Sequence, residues 1–316
     1  MRTDSTRPSP IRSAHSARLS VCAALTLALS VAASTPAAAQ QQMPAPPQVG
    51  PENGSLVIVG GAMRSAEIYE RFIDLAGGPD AHIVLVPTAG GQAEYDEFFQ
   101  GMNAWRDHGA RNLTLLHTID PAEADTDAFI EPLKTAAGVF FFGGRQWRLV
   151  DAYGGTKTED AFREVLERGG VIGGSSAGAS IQGSYLVRGD TRTNTVMMGD
   201  HQRGFGYLRN VGIDQHLIMR NRHYDMIEVI EANPELLGLG LDEDTALIVR
   251  GDQAQVLGSR YVAVYDNTTT VGEDGKFYFL APGDRLNLAT REATRATTIW
   301  SPIGGVQRKP WGSGGN

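Results

Sequence analysis

Five short apolar runs recur between residues 55 and 175, and four of them contain a glycine pair at or near their end. They are SLVIVGG (55–61), HIVLVPTAGG (82–91), NLTLLH (112–117), GVFFFGG (138–144) and GVIGGS (170–175). Between them lie segments with helical spacing of apolar residues, AEIYERFIDLA (66–76), EYDEFFQGMNAWRDHG (94–109) and TEDAFREVLERG (158–169). Continuous apolar strands are buried on both faces, so their alternation with amphipathic helices predicts a mostly parallel sheet covered on each side. Beyond residue 250 the rhythm changes. QAQVLGS, YVAVYDN, KFYFLAPGD and TTIW read as alternating, turn-linked strands and predict antiparallel strands near the C-terminus. In open sheets of this kind, ligands bind beyond the carboxyl ends of the strands. The glycine pairs 60–61, 90–91, 143–144 and 173–174 therefore mark where chemistry is expected.

The ends of the chain read differently. Arg2, Arg7, Arg12 and Arg18 precede the apolar run LSVCAALTLALSVAA (19–33), and STPAAA follows. A basic start, a short apolar middle and an Ala-x-Ala ending predict a secretory signal over 1–39, removed after Ala39. The run is short for a membrane span. Export to the periplasm or the medium follows, with no membrane attachment after cleavage. Residues 40–53 are polar and rich in proline and predict a flexible leader. A single catalytic α/β domain is expected over 54–302, and a disordered tail over 303–316.

Removing residues 1–39 takes away four arginines and one aspartate and moves the formal charge from −8 to −11. An acidic body argues against a nucleic-acid partner, whose phosphates need a basic face. Cys22, the one cysteine, lies inside the signal. The mature chain thus has no thiol nucleophile, disulfide or cysteine metal ligand, and no H-E-x-x-H set is present. No metal or other cofactor is expected. A homodimer is compatible with the chain.

Gly174-Ser175-Ser176-Ala177-Gly178 fits G-x-S-x-G, with Ser176 at the centre and Ser175 ending the strand. Between a strand and a helix, such a turn lifts the serine Oγ clear of the sheet. The N–H groups at the helix start then face any negative charge that develops. A phosphate cradle would call for a Walker-type lysine, and none stands in the turn. A nucleophilic serine also needs a base and a group that orients the base. Among the histidines, His216 has the most polar neighbourhood, with Asp214, Gln215, Arg220 and Arg222. His201, in a polar loop, stays a candidate. The orienting acid is Glu243, within DEDT, or Asp190, within VRGDTRTN.

FFFGGRQWRLV, GGSSAGAS, GIDQH…RNR, GLGLDEDTALIV and APGDRLNL stand in the same order as in the cyanophycinase branch of the serine peptidases, which includes dipeptidase E. The resemblance runs from about residue 55 to 290. It implies the three-layer α/β fold of the class I glutamine amidotransferases, with serine replacing their cysteine. It implies Ser176, His216 and Glu243 as catalytic residues, with Asp190 a lesser alternative for the third. It also implies an oxyanion hole at Ala177 and Gly144, and a substrate pocket of Gln146, Asp214, Gln215, Arg220 and Arg222. The implied activity is hydrolysis of β-aspartyl linkages, as in cyanophycin, a poly-aspartate with arginine on its side chains; an α- or iso-aspartyl dipeptidase acting on small acidic peptides is the alternative. A non-catalytic binder of the same fold is the contrasting expectation. Two positions depart from the family: Arg145 replaces an acid in its GGDQ, and Asp225 stands where cyanophycinases tend to carry a pocket arginine. The resemblance leaves the substrate less defined than the chemistry.

Overall fold

In a computed structural model of the chain, the described residues are 48–96, 98–268 and 276–296. Fourteen strands and eight α-helices lie among them. The strands are β1 (Ser55–Val59), β2 (His82–Val86), β3 (Asn112–Leu115), β4 (Gly138–Phe141), β5 (Val171–Ser175), β6 (Gly183–Tyr185) and β7 (Leu208–Gln215). They continue with β8 (Leu237–Leu241), β9 (Thr245–Arg250), β10 (Gln253–Gly258), β11 (Val262–Asp266), β12 (Tyr278–Leu280), β13 (Arg285–Asn287) and β14 (Ala293–Thr294). The helices are α1 (Ala66–Ala76), α2 (Gly101–Asp107), α3 (Pro121–Ala124), α4 (Glu131–Thr135), α5 (Trp147–Tyr153), α6 (Lys157–Glu167), α7 (Ala177–Ser180) and α8 (Met226–Ala232).

The strands form two sheets. Nine take the order β14-β13-β10-β9-β1-β5-β4-β2-β3, and five take the order β12-β11-β8-β7-β6. The five runs read from sequence are β1 to β5 and pair in parallel, with β1 beside β5, β5 beside β4, β4 beside β2 and β2 beside β3. β9 and β10 continue this sheet antiparallel. Successive side chains of a strand point to opposite faces. Val57, Val59, Ile83, Leu85 and Phe140 accordingly pack with Ile68, Phe72 and Trp105 of α1 and α2. Leu56, Ile58, Val84, Val86, Phe141 and Ile172 pack the other way, with Leu149 and Phe162 of α5 and α6 and with Ile213 and Leu239 of the second sheet. The far face of the second sheet buries Ala263 and Tyr265 against Met226, Val229 and Ile230 of α8.

The α/β fold with a parallel core and antiparallel C-terminal strands is as expected. The division into two sheets is not, since β10 stays with the large sheet while β11 and β12 join β8. The helix expected over 94–109 is confined to Gly101–Asp107. Order also begins before Ser55. The Asp252 Oδ1 accepts the N–H groups of Val49 (2.8 Å) and Gly50 (2.9 Å), so the end of the expected leader is tied to the body. The expected signal at 1–39, residues 40–47, TTIW and the expected tail at 303–316 lie outside the described residues. Among the described residues no helix is long and apolar enough to cross a membrane, and no group of three or more His, Cys, Asp or Glu could hold a metal.

Candidate active site

β5 ends at Ser175, and α7 begins at Ala177. Ser176 makes the turn between them at φ 58°, ψ −112°. This backbone is unusual for a residue with a Cβ, and such strain is of the order of 1–3 kcal/mol, held by the surrounding structure. A strained central residue is what the elbow predicted from the sequence pattern requires. Gly143, after β4, approaches the same residue. A Cβ at position 143 would stand 3.2 Å from the Ser176 Cβ and 3.7 Å from its Oγ. Ala177, as the first residue of α7, has no intrahelical acceptor for its N–H.

His216 follows β7, and Glu243 lies between β8 and β9. The imidazole links the serine to the acid. Its Nε2 is 2.8 Å from Ser176 Oγ, and its Nδ1 is 2.7 Å from Glu243 Oε1. An ionised carboxylate only accepts, so Nδ1 carries the proton and donates it to Glu243. Nε2 is then left to accept from the serine hydroxyl. His216 and Glu243 are largely buried, at 8% and 17% side-chain exposure. Burial holds the imidazole below its ordinary pKa of 6.5. The hydrogen bond to Glu243 acts in the opposite sense, and the charges of Arg220 and Arg222 add to the lowering. The ring is therefore neutral at neutral pH and able to take a proton.

One short turn holds all three segments. The Val59 carbonyl accepts the Ser176 N–H (3.0 Å), the Gly60 carbonyl accepts the His216 N–H (2.8 Å), and the Gly61 carbonyl accepts the Asp244 N–H (2.8 Å). The three acids of DEDT have separate destinations. Asp242 Oδ1 accepts the N–H groups of Ile218 and Met219, both at 3.0 Å, and caps the turn after His216. Glu243 meets the imidazole. Asp244 Oδ1 accepts the N–H groups of Arg64 and Ser65, both at 2.8 Å. An acidic run that resembles a solvated turn is in fact a distributor of three contacts.

Asp190 is not brought to His216. Its Oδ1 accepts the N–H groups of Arg192 (3.0 Å) and Thr193 (2.7 Å), which makes it a turn residue. His201 also lies apart, with Nε2 2.8 Å from Asp151. The expected pocket residues form an internal network. Gln146 Nε2 donates to the Val187 carbonyl (2.7 Å). Arg222 Nη1 donates to Gln215 Oε1 (2.9 Å) and to the Gln215 carbonyl (3.2 Å). Burial, followed by the neighbouring charge of Arg188, brings Arg222 down to about 10. Arg220 is exposed.

The two departures in charge also have internal partners. Arg145 Nη2 donates to the carbonyls of Asp190 (2.6 Å) and Thr193 (2.5 Å), fastening the 190–193 segment beside the loop that follows β4. Asp225 Oδ2 accepts from Arg188 Nη2 (2.6 Å). Arg188 is the residue that sequence reasoning missed. Its Nε and Nη2 donate to the two oxygens of Asp214 at 2.7 and 2.9 Å, and its Nη1 donates to the Asn194 carbonyl at 3.0 Å. Gly60, Gly61 and Gly143 had a signal, since the glycine pairs at the strand ends already marked this edge.

An α/β sheet with serine, histidine and a carboxylate in hydrogen-bonded line at its carboxyl edge is the arrangement of a serine-type hydrolase. Comparison with known proteins gives the particular group. The chain belongs to peptidase family S51, whose family model matches residues 56–257. It is 28% identical over 264 residues to the cyanophycinase of Geminocystis herdmanii, covering 75% of this chain and 95% of that one. It is 32% identical over 225 residues to the cyanophycinase of Synechococcus elongatus, covering 67% and 68%. Among solved structures, a peptidase from an acI-B1 Actinobacterium has the same fold, at TM-score 0.56 and 24% identity, covering 76% of this chain and 97% of that one. The protein is thus a serine-type peptidase of the cyanophycinase-like group.

Proposed function

We propose that the chain is an exported serine exopeptidase that hydrolyses β-aspartyl linkages, with Ser176 as nucleophile, His216 as base and Glu243 as the acid that orients it. The observation that carries this reading is the unbroken line from Ser176 Oγ through the imidazole to Glu243, at 2.8 and 2.7 Å. Ser176 Oγ attacks the β-carbonyl while its proton passes to His216 Nε2. The carbonyl oxygen becomes an oxyanion, for which the N–H of Ala177 and the backbone at Gly144 are the proposed donors. Collapse of the tetrahedral intermediate breaks the C–N bond, and His216 gives the proton to the departing amine. A water then attacks the acyl-enzyme by the same route and restores the serine. Glu243 stabilises the imidazolium formed in each half.

Arg220 and Arg222 follow His216 and are the proposed grip for a substrate carboxylate, because a guanidinium matches a carboxylate bidentately. Export rests on the basic and apolar pattern of residues 1–39. Cyanophycin and small β-aspartyl dipeptides both present the bond. Incubation with cyanophycin and with matched α- and β-aspartyl dipeptides, followed by mass spectrometry, tests the reading. Cleavage at β-aspartyl bonds is expected. Cleavage of α-linked peptides alone would replace the proposed linkage. A chain that neither cleaves any of them nor reacts with a fluorophosphonate at Ser176 would be a binder instead.

A further inference from the structure

The loop after β4 passes beside Ser176 at Gly143 and then turns at Gly144, which is exposed and has φ +145°. A Cβ at position 144 would stand 2.0 Å from the Ala89 carbonyl oxygen, so this part of the loop lies hard against the 3-10 turn Thr88–Gly90. The same Ala89 carbonyl accepts the Arg145 N–H (2.8 Å) and Arg148 Nη1 (3.1 Å). On the other side, two consecutive side chains reach one segment. Gln146 Nε2 donates to the Val187 carbonyl, and Arg145 Nη2 donates to the carbonyls of Asp190 and Thr193. The loop is thus held between the turn after β2 and the segment 187–193.

An oxyanion donor works only if it is fixed in advance where the charge will develop. Gly143 and Gly144 have no side chains with which to fix themselves, and glycine leaves the backbone its widest freedom. Their placement falls to the residues that follow. Among these, Arg145 makes the charge-assisted contact, and such bonds are stronger than those between neutral groups. A carboxylate at position 145, the residue type that the resemblance leads one to expect, has no proton with which to meet two carbonyls. The tie to Asp190 and Thr193 therefore depends on the arginine that this chain carries. Arg145 Nε is buried without a hydrogen-bond partner among the described residues. A buried donor left unmatched is destabilising, and an apolar side chain in its place would avoid that.

We propose that Arg145 is a positioning residue for the oxyanion hole: by tying the loop after β4 to the carbonyls of Asp190 and Thr193, it holds the backbone donor at Gly144 in line with the charge that forms when Ser176 attacks. This rests on the serine-hydrolase reading, with Gly144 as one of the two oxyanion donors. Arg145 acts through the loop, and its guanidinium is engaged by the protein's own carbonyls. Its contribution is therefore made in the transition state, and its loss should lower kcat while leaving the binding of intact substrate in place. The contribution is also indifferent to what the substrate carries beyond the scissile carbonyl. Arginine-bearing and neutral β-aspartyl units should be affected by the same factor.

The test compares three readouts in Arg145→Met, Arg145→Lys and Arg145→Asp. The first is the rate at which Ser176 reacts with a fluorophosphonate, followed by intact mass; the Oγ–P bond forms, fluoride leaves, and the phosphoryl oxygen takes up charge where an oxyanion would. The second is kcat and KM on β-Asp-Arg and β-Asp-Leu. The third is the affinity of the same peptides for each variant combined with Ser176→Ala, by titration calorimetry. Arg145→Met should slow phosphonylation and lower kcat by about ten- to a hundredfold, the scale of a misplaced rather than a deleted donor. Peptide affinity should stay within about twofold, well below the tenfold that one lost charge contact would bring. Arg145→Lys should recover part of the rate, and Arg145→Asp should recover none. A merely structural Arg145 would weaken affinity and rate together, and that result overturns the proposal. So does a folded Arg145→Met enzyme that reacts at the unsubstituted rate, or an Arg145→Asp enzyme that exceeds Arg145→Met. If Arg145→Met does not fold, Arg145→Gln decides, since it keeps the polarity but loses the charge. A loss confined to phosphonylation and kcat supports the proposal there, and unsubstituted rates overturn it. An unsubstituted enzyme that reacts with neither the fluorophosphonate nor any peptide removes the proposed function and this inference with it, whereas one that reacts no faster than Arg145→Met removes this inference alone.

Discussion

Gly61 backs directly onto the imidazole of His216. A Cβ at position 61 would stand 2.3 Å from the ring Cε1, 2.6 Å from Nδ1 and 2.7 Å from Nε2, and Gly61 has φ +126°. Gly61→Ala should therefore push the ring off its line to Ser176. A displacement of about 1 Å at a catalytic group costs on the order of a hundredfold in rate. The expected result is a fall of that size in kcat with a smaller change in KM. A Gly61→Ala enzyme that is folded by circular dichroism and fully active would refute this account of the ring's placement.

Ser176→Ala should abolish turnover and leave the fold intact. Removing the nucleophile of such a triad costs about a million-fold in rate. Ser175 ends β5, and Ser175→Ala should be far milder. Steady-state rates on a β-aspartyl dipeptide separate the two, and the opposite order of effects would move the nucleophile.

Glu243→Gln keeps the shape of the side chain but loses the charge that favours the imidazolium. A loss of about a thousand- to ten-thousand-fold in kcat is expected, as for an orienting acid. Asp190→Asn should leave kcat within a few-fold, because the Asp190 carboxylate holds the turn at 192–193. Comparable losses in both variants would contradict the separation of their roles.

The pH profile follows from the lowered pKa of His216. The neutral ring is the active form, so kcat/KM should fall with acid along a limb below pH 6.5. Arg220→Ala removes one of the lowering charges and should move that limb upward. Glu243→Gln removes a raising contact and should move it downward. Arg220 is exposed, so its effect should shrink in salt. The same shift acts on stability. The folded-state value lies below the unfolded one, so the unfolded chain binds the proton more readily, and stability is lost as pH falls below 6.5 and through the lower folded-state value. An Arg220→Ala limb that stays in place at low salt would show that this charge does not reach the ring.

Arg222→Ala tests the carboxylate grip. Truncating one partner of a buried, hydrogen-bonded charge pair costs about 2–5 kcal/mol, and here the loss should fall mainly on KM. Arg222→Lys should restore it only in part, because an ammonium lacks the planar fork. A change confined to kcat would place the grip elsewhere.

Much of this architecture was legible in the chain itself. β1 to β5 announce themselves because a strand buried on both faces must be apolar throughout, and the Ser176 elbow because its turn tolerates only small neighbours. The segment at 94–109 misleads, since its aromatic spacing suits a helix although only Gly101–Asp107 forms one. The second sheet escapes a local reading because β11 pairs with β8 across twenty residues of intervening chain that includes two strands of the other sheet. Arg188 escapes for a related reason. Its partners Asp214 and Asp225 lie 26 and 37 residues away, and no periodicity encodes a pairing made only by the tertiary fold. Asp190 and Glu243 look alike as letters. What separates them is which backbone N–H groups or ring nitrogens reach their oxygens.

The three successive carbonyls of Val59, Gly60 and Gly61 act on main-chain atoms and do not depend on the identity of the side chains they align. The spacing of nucleophile, base and acid is thus written into a stretch that contributes no reactive group of its own. Loops beyond those anchor points are free to drift in length and sequence while the reacting atoms keep their mutual positions. One residue inserted between Val59 and Gly61 would, by contrast, put all three members out of step together. The most intolerant positions for the chemistry of this chain therefore include residues that no chemical probe of the site would ever label.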